Sequence, residues 1–304
     1  MNTYFDCIPC LIQQALNCVR LVTPDEAVHE LVLRDVLRAA TEMDFHQSPP
    51  AMAQHFHRRI RELAGQSDPY RDVKDRFNRF ALDHYRDLLH WIERSVSPME
   101  TAVRLAIAGN VIDFGVHSGL TKGQVQDAVR HALSASLEGD VRSFSDAVRG
   151  ADDILYLADN AAEIVFDRLL IEQLPRGKVT LVVRGAPVSN DATMVDAEDT
   201  GLTELLGVID NGSDAPGTIL DDCSEAFRKR FDRADLIIAK GQGNYESLSE
   251  VEKDIYFLLK AGCPVIARDL GCEVGSLVLR RSKSAKTPAV SVGVTSTTAS
   301  LRNG

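Results

Sequence analysis

The stretch Ile154-Leu155-Tyr156-Leu157-Ala158-Asp159-Asn160-Ala161-Ala162-Glu163 joins a short apolar run to an acid, an amide and a helix-forming segment. An apolar run of this length is typical of a strand that is buried on both faces of a parallel sheet. Asp159 and Asn160 then follow the carboxyl end of that strand, where open α/β sheets bind their ligands. Both side chains offer oxygen, which hard divalent cations prefer. The alternative is that Asp159 only caps the next helix.

The second half of the chain alternates short β-rich runs with helical segments, starting near Asp152. This alternation predicts a parallel sheet with helices on both faces. The expected strands are residues 154–158, 179–183, 206–209, 236–239, 264–267 and 290–294. The expected helices between them are residues 161–174, 193–200, 218–231 and 248–259.

The first half of the chain is predicted to be helical, because apolar residues recur at helical spacing, as between Ile12 and Val19. A chain of 304 residues exceeds the comfortable size of a single core, so two domains are expected. We therefore predict an α/β protein in which a helical domain, 1–148, precedes a Rossmann-like domain, 149–304. The second domain is expected to be a doubly wound, mainly parallel sheet with a metal site at the C-terminal ends of its strands.

The amino-acid composition argues against nucleic acids and membranes as binding partners. A net charge of -10 argues against a nucleic-acid-binding surface, which needs clustered Lys and Arg. No apolar run approaches the roughly 20 residues that span a bilayer, and the N-terminus lacks the features of a signal peptide. We therefore expect a cytoplasmic protein whose six cysteines stay reduced, with neither nucleic acid nor membrane as a partner. The sequence does not indicate an oligomeric state.

Polar, glycine-containing segments follow four of the expected strands, at residues 159–163, 184–193, 210–218 and 240–246. In a parallel sheet these segments meet at one edge. Two carboxylates and an amide can hold Mg²⁺ or Mn²⁺ and leave positions open for water and a phosphate oxygen. Lys240 adds a point charge for a phosphate. The alternative is a set of ordinary turns, because Asn, Asp, Gly and Ser dominate turns.

Several short strings along the chain are distinctive. They are CIPC at 7–10, DPY at 68–70, AGNVIDFG at 108–115, DNAAE at 159–163, RGAP at 184–187, NDAT at 190–193, KGQGNYE at 240–246 and CPVIA at 263–267. In these strings, which span nearly the whole chain, the sequence resembles the damage-control phosphatase family, long known as domain of unknown function 89. Within that family it looks most like the microbial branch that carries a CxxC near the N-terminus.

The resemblance implies a metal-dependent phosphatase that acts on small phosphorylated metabolites. In the family these are damaged or side-product compounds such as sugar phosphates or nucleotide derivatives. Carried over to this sequence, the family's metal ligands are Asp159, Asn160 and Asp191. The implied cofactor is a divalent metal, namely Mn²⁺, Ni²⁺, Co²⁺ or Mg²⁺.

Other polar residues are candidates for catalysis or substrate binding. Lys240 is expected to bind a phosphate oxygen and stabilise the transition state. Glu163 is expected to orient the attacking water or support Asn160, or else to interact with the helix dipole. Asn110 and Asp113 are expected to close the site from the helical domain, unless they only form a cap and a tight turn. Further substrate-binding candidates are Asn190, Asn211 and Asn244.

The reaction expected is hydrolysis by metal-activated water, with a phospho-aspartyl intermediate as the alternative. Two other functions stay open: an S-adenosylmethionine-dependent carboxyl methyltransferase, which needs no hard cation, and a phosphometabolite-binding protein without turnover. Cys7 and Cys10 supply only two of the four ligands that structural zinc usually has. They are expected to be buried helix cysteines, with a regulatory or second metal site as the alternative.

Overall fold

The structure, a computed structural model, describes residues 1–111 and 122–282. Its N-terminal part consists of α1 (Cys7–Val22), α2 (Glu26–Thr41), α3 (Pro49–Ala64), α4 (Arg71–Glu93), α5 (Pro98–Val111) and α6 (Lys122–Ser134). Helix α3 begins at Pro49. Proline suits this position because the N–H groups of the first turn have no partner within the helix, so the N–H that proline lacks is not missed. It ends at Gly65, whose left-handed conformation suits glycine. The first three helices enclose a small core, which includes Leu11, Val19, Val32, Phe56 and Ile60.

One sheet occupies the rest of the described chain. Its strands are β1 (Leu137–Gly139), β2 (Ile154–Leu157), β3 (Val179–Val183), β4 (Gly207–Asp210), β5 (Leu236–Lys240), β6 (Ile255–Lys260) and β7 (Leu277–Arg281). Their order across the sheet is β1-β7-β6-β5-β2-β3-β4. Strands β2 to β6 are parallel to one another, whereas β7 runs antiparallel to β6 and parallel to β1.

Helices cover both faces of this sheet. They are α7 (Val141–Gly150), α8 (Glu163–Ile171), α9 (Met194–Asp199), α10 (Leu202–Leu205), α11 (Glu225–Arg233), α12 (Gly241–Leu248) and α13 (Pro264–Leu270). In β2, Ile154 and Tyr156 enter one core, while Leu155 and Leu157 enter the core on the opposite face. This two-sided burial confirms the prediction of a mainly parallel α/β sheet that follows a helical N-terminal part.

The sequence-based assignment was wrong in two segments. Residues 264–267 were expected to form a strand but begin α13, because Pro264 occupies its first position after the extended Cys263. Residues 248–259 were expected to form a helix, but Leu248 ends α12 and β6 follows. An apolar run that is buried on both faces of a sheet lacks the alternation that distinguishes a strand from a buried helix. The expected strand at 290–294 lies outside the described residues.

The carboxyl ends of β5, β2 and β3 are neighbours, and this edge carries the polar segments. Helix α5 also reaches it, because it packs closely against α8: a Cβ on Gly109 would lie 3.0 Å from Glu163 Cγ. The proposed division at residues 148 and 149 stays a prediction, and β1, which precedes it, pairs with β7. None of the helices in the described ranges is long and apolar enough to cross a membrane.

Candidate active site

The segments after β2 and β3 are joined by backbone hydrogen bonds that bring three predicted metal ligands together. Ala161 N donates to Asn190 O, and Ala192 N donates to Asp159 O, both at 2.8 Å. Asn160 and Asp191 form an isolated β-bridge. Asp159, Asn160 and Asp191 are therefore adjacent although about 30 residues separate the two segments in the sequence.

The two aspartates are buried together. Asp159 is 9% exposed and Asp191 is 4% exposed. Burial raises the pKa of Asp159 well above its ordinary value, and the charges of Glu163 and Asp191 raise it further. Burial also raises the pKa of Asp191, against the opposing charge of Arg184. The repulsion between these carboxylates would be relieved by a cation placed among them.

Asn160 is held with its amide nitrogen toward the acids. Its Nδ2 donates to Glu163 Oε2 at 3.1 Å and lies 3.3 Å from Asp159 Oδ2. The amide oxygen is therefore on the other side of the group and remains the atom that could bind a metal. Two carboxylates and an amide oxygen are a donor set for a hard divalent cation, so these residues fit the metal that the sequence predicted.

Lys240 ends β5 and is completely buried below this site. Its ammonium donates to Ala106 O at 2.7 Å, Glu163 Oε1 at 2.5 Å and Asp167 Oδ1 at 2.7 Å. Burial lowers the pKa of Lys240, but the charges of Asp167 and Glu163 raise it by more, so the net shift is upward. Lys240 therefore stays charged and connects helices α5 and α8 to the end of β5.

Asp167 is the second carboxylate under the site. Tyr156 Oη and Lys240 Nζ both donate to its Oδ1, whereas its buried Oδ2 has no hydrogen-bond partner among the described residues. Burial raises the pKa of Asp167 to about 7, despite the opposing charge of Lys240. Sequence analysis did not identify this residue, because Asp167 lies within the apolar helix α8 and no motif contains it.

Gly241 allows the backbone to approach Asp159. It begins α12 with φ at +77°, a conformation that favours glycine, and a Cβ there would lie 1.8 Å from Asp159 Oδ2. The segment at 240–244 was expected to be a binding loop, but from Gly241 onward it is helical. The glycine therefore serves close packing against a metal-ligand candidate.

Three predicted substrate-binding asparagines differ in their surroundings. Asn244 is buried: its Nδ2 donates to Ala158 O and Lys240 O, and its Oδ1 accepts from Thr218 Oγ1. Asn211 Oδ1 accepts from Gly185 N and Ser213 N, while its Nδ2 is buried without a partner in the described ranges. Asn190 is exposed, and its backbone carbonyl joins the two metal-ligand segments. Asn244 and Asn211 thus hold loops of the site in place.

Of the two candidates from the helical domain, Asn110 and Asp113, only Asn110 lies within the residues that the structure describes. Asn110 lies near the end of α5, which reaches the site through Ala106 and Gly109. Asp113 lies outside the described residues. Their catalytic roles therefore stay predictions from the sequence.

Arg184 is a site residue that the sequence assignment missed. It follows β3 directly and is only 2% exposed. Its Nε donates to Asp191 Oδ2 at 2.7 Å, and its Nη2 lies 3.8 Å from Asp159 Oδ1. A lone Arg directly after a buried strand, at the edge that carries the acids, was the available signal. Its guanidinium lies between the two carboxylates.

The CxxC cysteines lie apart from these residues, at the start of α1. Cys7 is the first helical residue and is half-buried, whereas Cys10 is exposed, so the expectation of two buried helix cysteines holds only for their helical position. All six cysteines of the chain are free thiols. In the described part of the chain, no three or more His, Cys, Asp or Glu side chains form a group that could hold a metal ion.

Comparison with known proteins gives consistent matches over most of the chain. The family described as damage-control phosphatase ARMT1-like domain matches residues 3–278. An uncharacterised protein of Methanocaldococcus jannaschii is 36% identical over 289 residues, which cover 90% of this chain and 93% of that protein. A damage-control phosphatase of Archaeoglobus fulgidus is 35% identical over 283 residues, which cover 90% of this chain and 97% of that protein.

A solved structure shows the same fold. The crystal structure of a protein of the DUF89 family from Pyrococcus horikoshii superposes with a TM-score of 0.83 at 32% identity. The superposition covers 93% of this chain and all of that one. A damage-control phosphatase of the same organism is 34% identical over 292 residues, which cover 93% of this chain and 99% of that protein.

Proposed function

Because this chain belongs to the damage-control phosphatase family with the ARMT1-like domain, we propose that it is a metal-dependent phosphatase. Its substrates are small phosphorylated metabolites, such as damaged or side-product sugar phosphates or nucleotide derivatives. The observation that supports this most is the joining of the segments after β2 and β3, which buries Asp159 and Asp191 together beside Asn160. We also expect the protein to act in the cytoplasm.

Asp159, Asn160 and Asp191 are proposed to hold one divalent cation, Mn²⁺, Ni²⁺, Co²⁺ or Mg²⁺. Such a cation, when bound, polarises a phosphate oxygen and lowers the pKa of a water molecule. The aspartates are then occupied as ligands, which makes them poor nucleophiles, so we favour attack by water over a phospho-aspartyl intermediate.

The surrounding residues keep these ligands in position. Glu163 accepts from Asn160 through one oxygen and from Lys240 through the other. The chain of contacts from Lys240 through Glu163 to Asn160 holds the amide group in one orientation beside the aspartates. We propose that Lys240 acts on the reaction through Glu163, and that Glu163 orients water near the ligands.

The test is phosphate release from p-nitrophenyl phosphate by chelator-treated protein, with Mg²⁺, Mn²⁺, Co²⁺ or Ni²⁺ added back singly. We expect at least one metal to restore hydrolysis, and Asp159→Asn to reduce it to the level of the metal-free protein. Asp210→Asn is the matched control, because Asp210 ends neighbouring β4 and is exposed. Its activity should equal that of the wild type.

Two results would contradict the proposal. One is the absence of hydrolysis with every metal in protein that circular dichroism shows to be folded. The other is full activity of Asp159→Asn, since the proposed cation then lacks a carboxylate ligand. Binding of a phosphorylated metabolite without turnover would instead favour a phosphometabolite-binding protein.

A further inference from the structure

Lys240 has no hydrogen-bond donor left for a substrate. A lysine ammonium has three N–H donors, and here three protein acceptors lie within 2.7 Å of Nζ. The side chain is also completely buried. Binding of a phosphate oxygen by Lys240 would therefore require it to give up Glu163, Asp167 or the carbonyl of Ala106. A side-chain cation that binds the phosphate beside the proposed metal must therefore be a residue other than Lys240.

Arg184 has such a donor. Its Nε is bonded to Asp191, and its Nη1 donates to Thr218 Oγ1 and Asn244 Oδ1 at 3.4 Å. Its Nη2 is buried and makes no hydrogen bond to any described residue. A buried guanidinium nitrogen without an acceptor is costly, and such an atom in a folded protein calls for a missing partner.

The position of this nitrogen identifies the kind of partner. Nη2 lies 3.8 Å from Asp159 Oδ1, beyond hydrogen-bond distance but directly beside the proposed metal ligands. An anion that reaches the candidate centre therefore comes within reach of Nη2. Arginine suits phosphate oxygens in particular, because its planar group donates in fixed directions.

The guanidinium is also held in place from the other side. Thr218 Oγ1 donates to Asn244 Oδ1 at 2.8 Å, and both oxygens lie 3.4 Å from Arg184 Nη1. Backbone bonds fix the same residue, since Arg184 N donates to Ala192 O at 2.8 Å. Arg184 is thus positioned before any ligand binds, which reduces the entropy lost on binding.

We infer that Arg184 is the phosphate-binding residue of this site and that its Nη2 donates to an oxygen of the substrate's phosphate group. The inference rests on the proposed phosphatase function and adds a substrate contact to it. Lys240 then has a separate role, which is to position Glu163.

The test is calorimetric titration of inorganic phosphate into Mn²⁺-loaded protein, combined with KM and kcat for p-nitrophenyl phosphate. In Arg184→Gln we expect the Kd for phosphate and KM to rise on the order of 10- to 100-fold, the effect of losing a charged hydrogen bond. Arg184→Lys should recover part of this loss, because it keeps the charge but not the fork of donors. Arg168→Gln on the outer side of α8 is the control and should match the wild type.

A second readout separates phosphate binding from support of the metal ligands. Titration of Mn²⁺ alone should show that Arg184→Gln binds the ion at least as tightly as the wild type, because a competing positive charge is removed. Unchanged phosphate affinity in Arg184→Gln would overturn the inference. So would a loss of Mn²⁺ affinity in proportion to that of phosphate affinity.

If Arg184→Gln does not fold, Arg184→Lys decides by the same two titrations. Weaker phosphate binding with retained Mn²⁺ binding supports the inference, and wild-type phosphate binding overturns it. Failure of the proposed function is recognised separately, because wild-type protein would then bind phosphate or Mn²⁺ without hydrolysing the ester. Hydrolysis by the wild type together with unchanged phosphate affinity in the variants would reject only the role of Arg184.

Discussion

Two buried lysines in this molecule share their chemistry but differ in their surroundings. The Lys74 cluster, between α4 and α9, contains Lys74, Asp68, Asp196 and Asn78, with Lys74 Nζ 2.8 and 3.0 Å from its two carboxylates. The Lys240 cluster, below the candidate site, contains Lys240, Glu163, Asp167 and Tyr156, with the corresponding distances of 2.5 and 2.7 Å. Both lysines are essentially inaccessible to solvent.

The pKa values of the aspartates shift in opposite directions. Burial raises the pKa of Asp196, but Lys74 and Thr193 lower it by more, so its net pKa is below the ordinary value. The pKa of Asp167 is raised to about 7 by burial, which Lys240 offsets only in part. Charges and hydrogen bonds both contribute to the difference. The charge of Lys74 lowers the pKa of Asp196, which also accepts from both the amide and the hydroxyl of Thr193, whereas the charge of Glu163 raises the pKa of Asp167. Asp167 receives donors at one oxygen only.

Both aspartates are buried, so the donors and charges around each one decide whether burial is offset and the charged form is stable. The Lys74 cluster, in which both oxygens of Asp196 accept hydrogen bonds, acts as a structural link between helices. The incompletely bonded Lys240 cluster lies where the proposed chemistry takes place, as is common for groups with perturbed pKa values.

Removal of the two lysines should change the stability of the protein more than any other substitution in these clusters. Lys74→Met leaves Asp68 and Asp196 buried without their cation, and we expect a loss of about 3–5 kcal/mol in the free energy of unfolding at pH 7. Lys240→Met should cost less, because Asp167 can take up a proton and become neutral. Urea unfolding of both variants measures this. Equal losses would show that the two clusters do not differ in the way described.

Replacing each aspartate by asparagine should affect stability differently in the two clusters. Asp196→Asn disturbs several hydrogen bonds to a charged acceptor, and we expect a loss on the order of 2 kcal/mol at pH 7. Asp167→Asn should be nearly neutral or stabilising at that pH, since the wild-type carboxylate is poorly accommodated there. Thermal unfolding at pH 7 is the measurement, and a larger loss for Asp167→Asn would contradict it.

Asp167 and Asp196 should contribute to the free energy of unfolding with opposite dependence on pH. The folded-state pKa of Asp167 is raised, so its favourable contribution is complete below about pH 4 and is lost as pH rises toward 7. Asp196 has a lowered pKa, so its contribution is present above about pH 4 and is lost below it. Unfolding free energies between pH 4 and 8 should therefore decline less with rising pH in Asp167→Asn than in the wild type. Parallel curves for these two proteins would reject the assignment.

Gly241, next to Lys240, can be compared with Gly271 at the end of α13. Both have φ above +70°, so alanine should cost roughly 1–2 kcal/mol at either position. Only at Gly241 does a Cβ collide with Asp159, whereas nothing lies within 4 Å of a Cβ at Gly271. Gly241→Ala should therefore lose metal-dependent hydrolysis, and Gly271→Ala should keep it. Similar activities in the two variants would show that the close approach to Asp159 is unimportant.

The smallest effect is expected at the CxxC. Cys7 and Cys10 begin α1 and belong to neither lysine cluster. The double variant Cys7→Ser, Cys10→Ser should retain metal-restored hydrolysis within about twofold, because neither cysteine is among the residues of the candidate site. A loss of activity together with a loss of bound metal would instead assign these cysteines to a metal site.

Much of the fold could be predicted because its local signals are strong. The run at 154–157 indicated a buried parallel strand, which the structure confirms, and the acids after it lie at the carboxyl edge of the sheet, where ligand binding stays a prediction. The strand β6 was missed because its first five residues, 255–259, are all apolar or aromatic, and such a pattern does not differ from that of a buried helix. The local apolar pattern therefore does not distinguish a strand from a helix when both faces of the element are buried.

The interior of the site was predictable only in part. Asp159, Asn160 and Asp191 lie in recognisable strings, and the structure brings them together. The partners of Lys240 could not be predicted, because Asp167 and Ala106 are 73 and 134 residues away in sequence. The burial that removes Lys240 from solvent, and leaves Arg184 Nη2 unbonded, arises only from the packing of α5 and α8 against the sheet.

The strand β1 has a consequence for any attempt to divide this protein. Leu137, Glu138 and Gly139 pair with β7, and a Cβ on Gly139 would lie 2.2 Å from the carbonyl oxygen of Leu279. A fragment that starts at residue 149 would lose this strand and leave the outer amides and carbonyls of β7 without partners. Unpaired strand edges template association with other chains. The helical half thus supplies the strand that covers this edge of the sheet half, and we expect the isolated sheet half to aggregate where the whole chain does not.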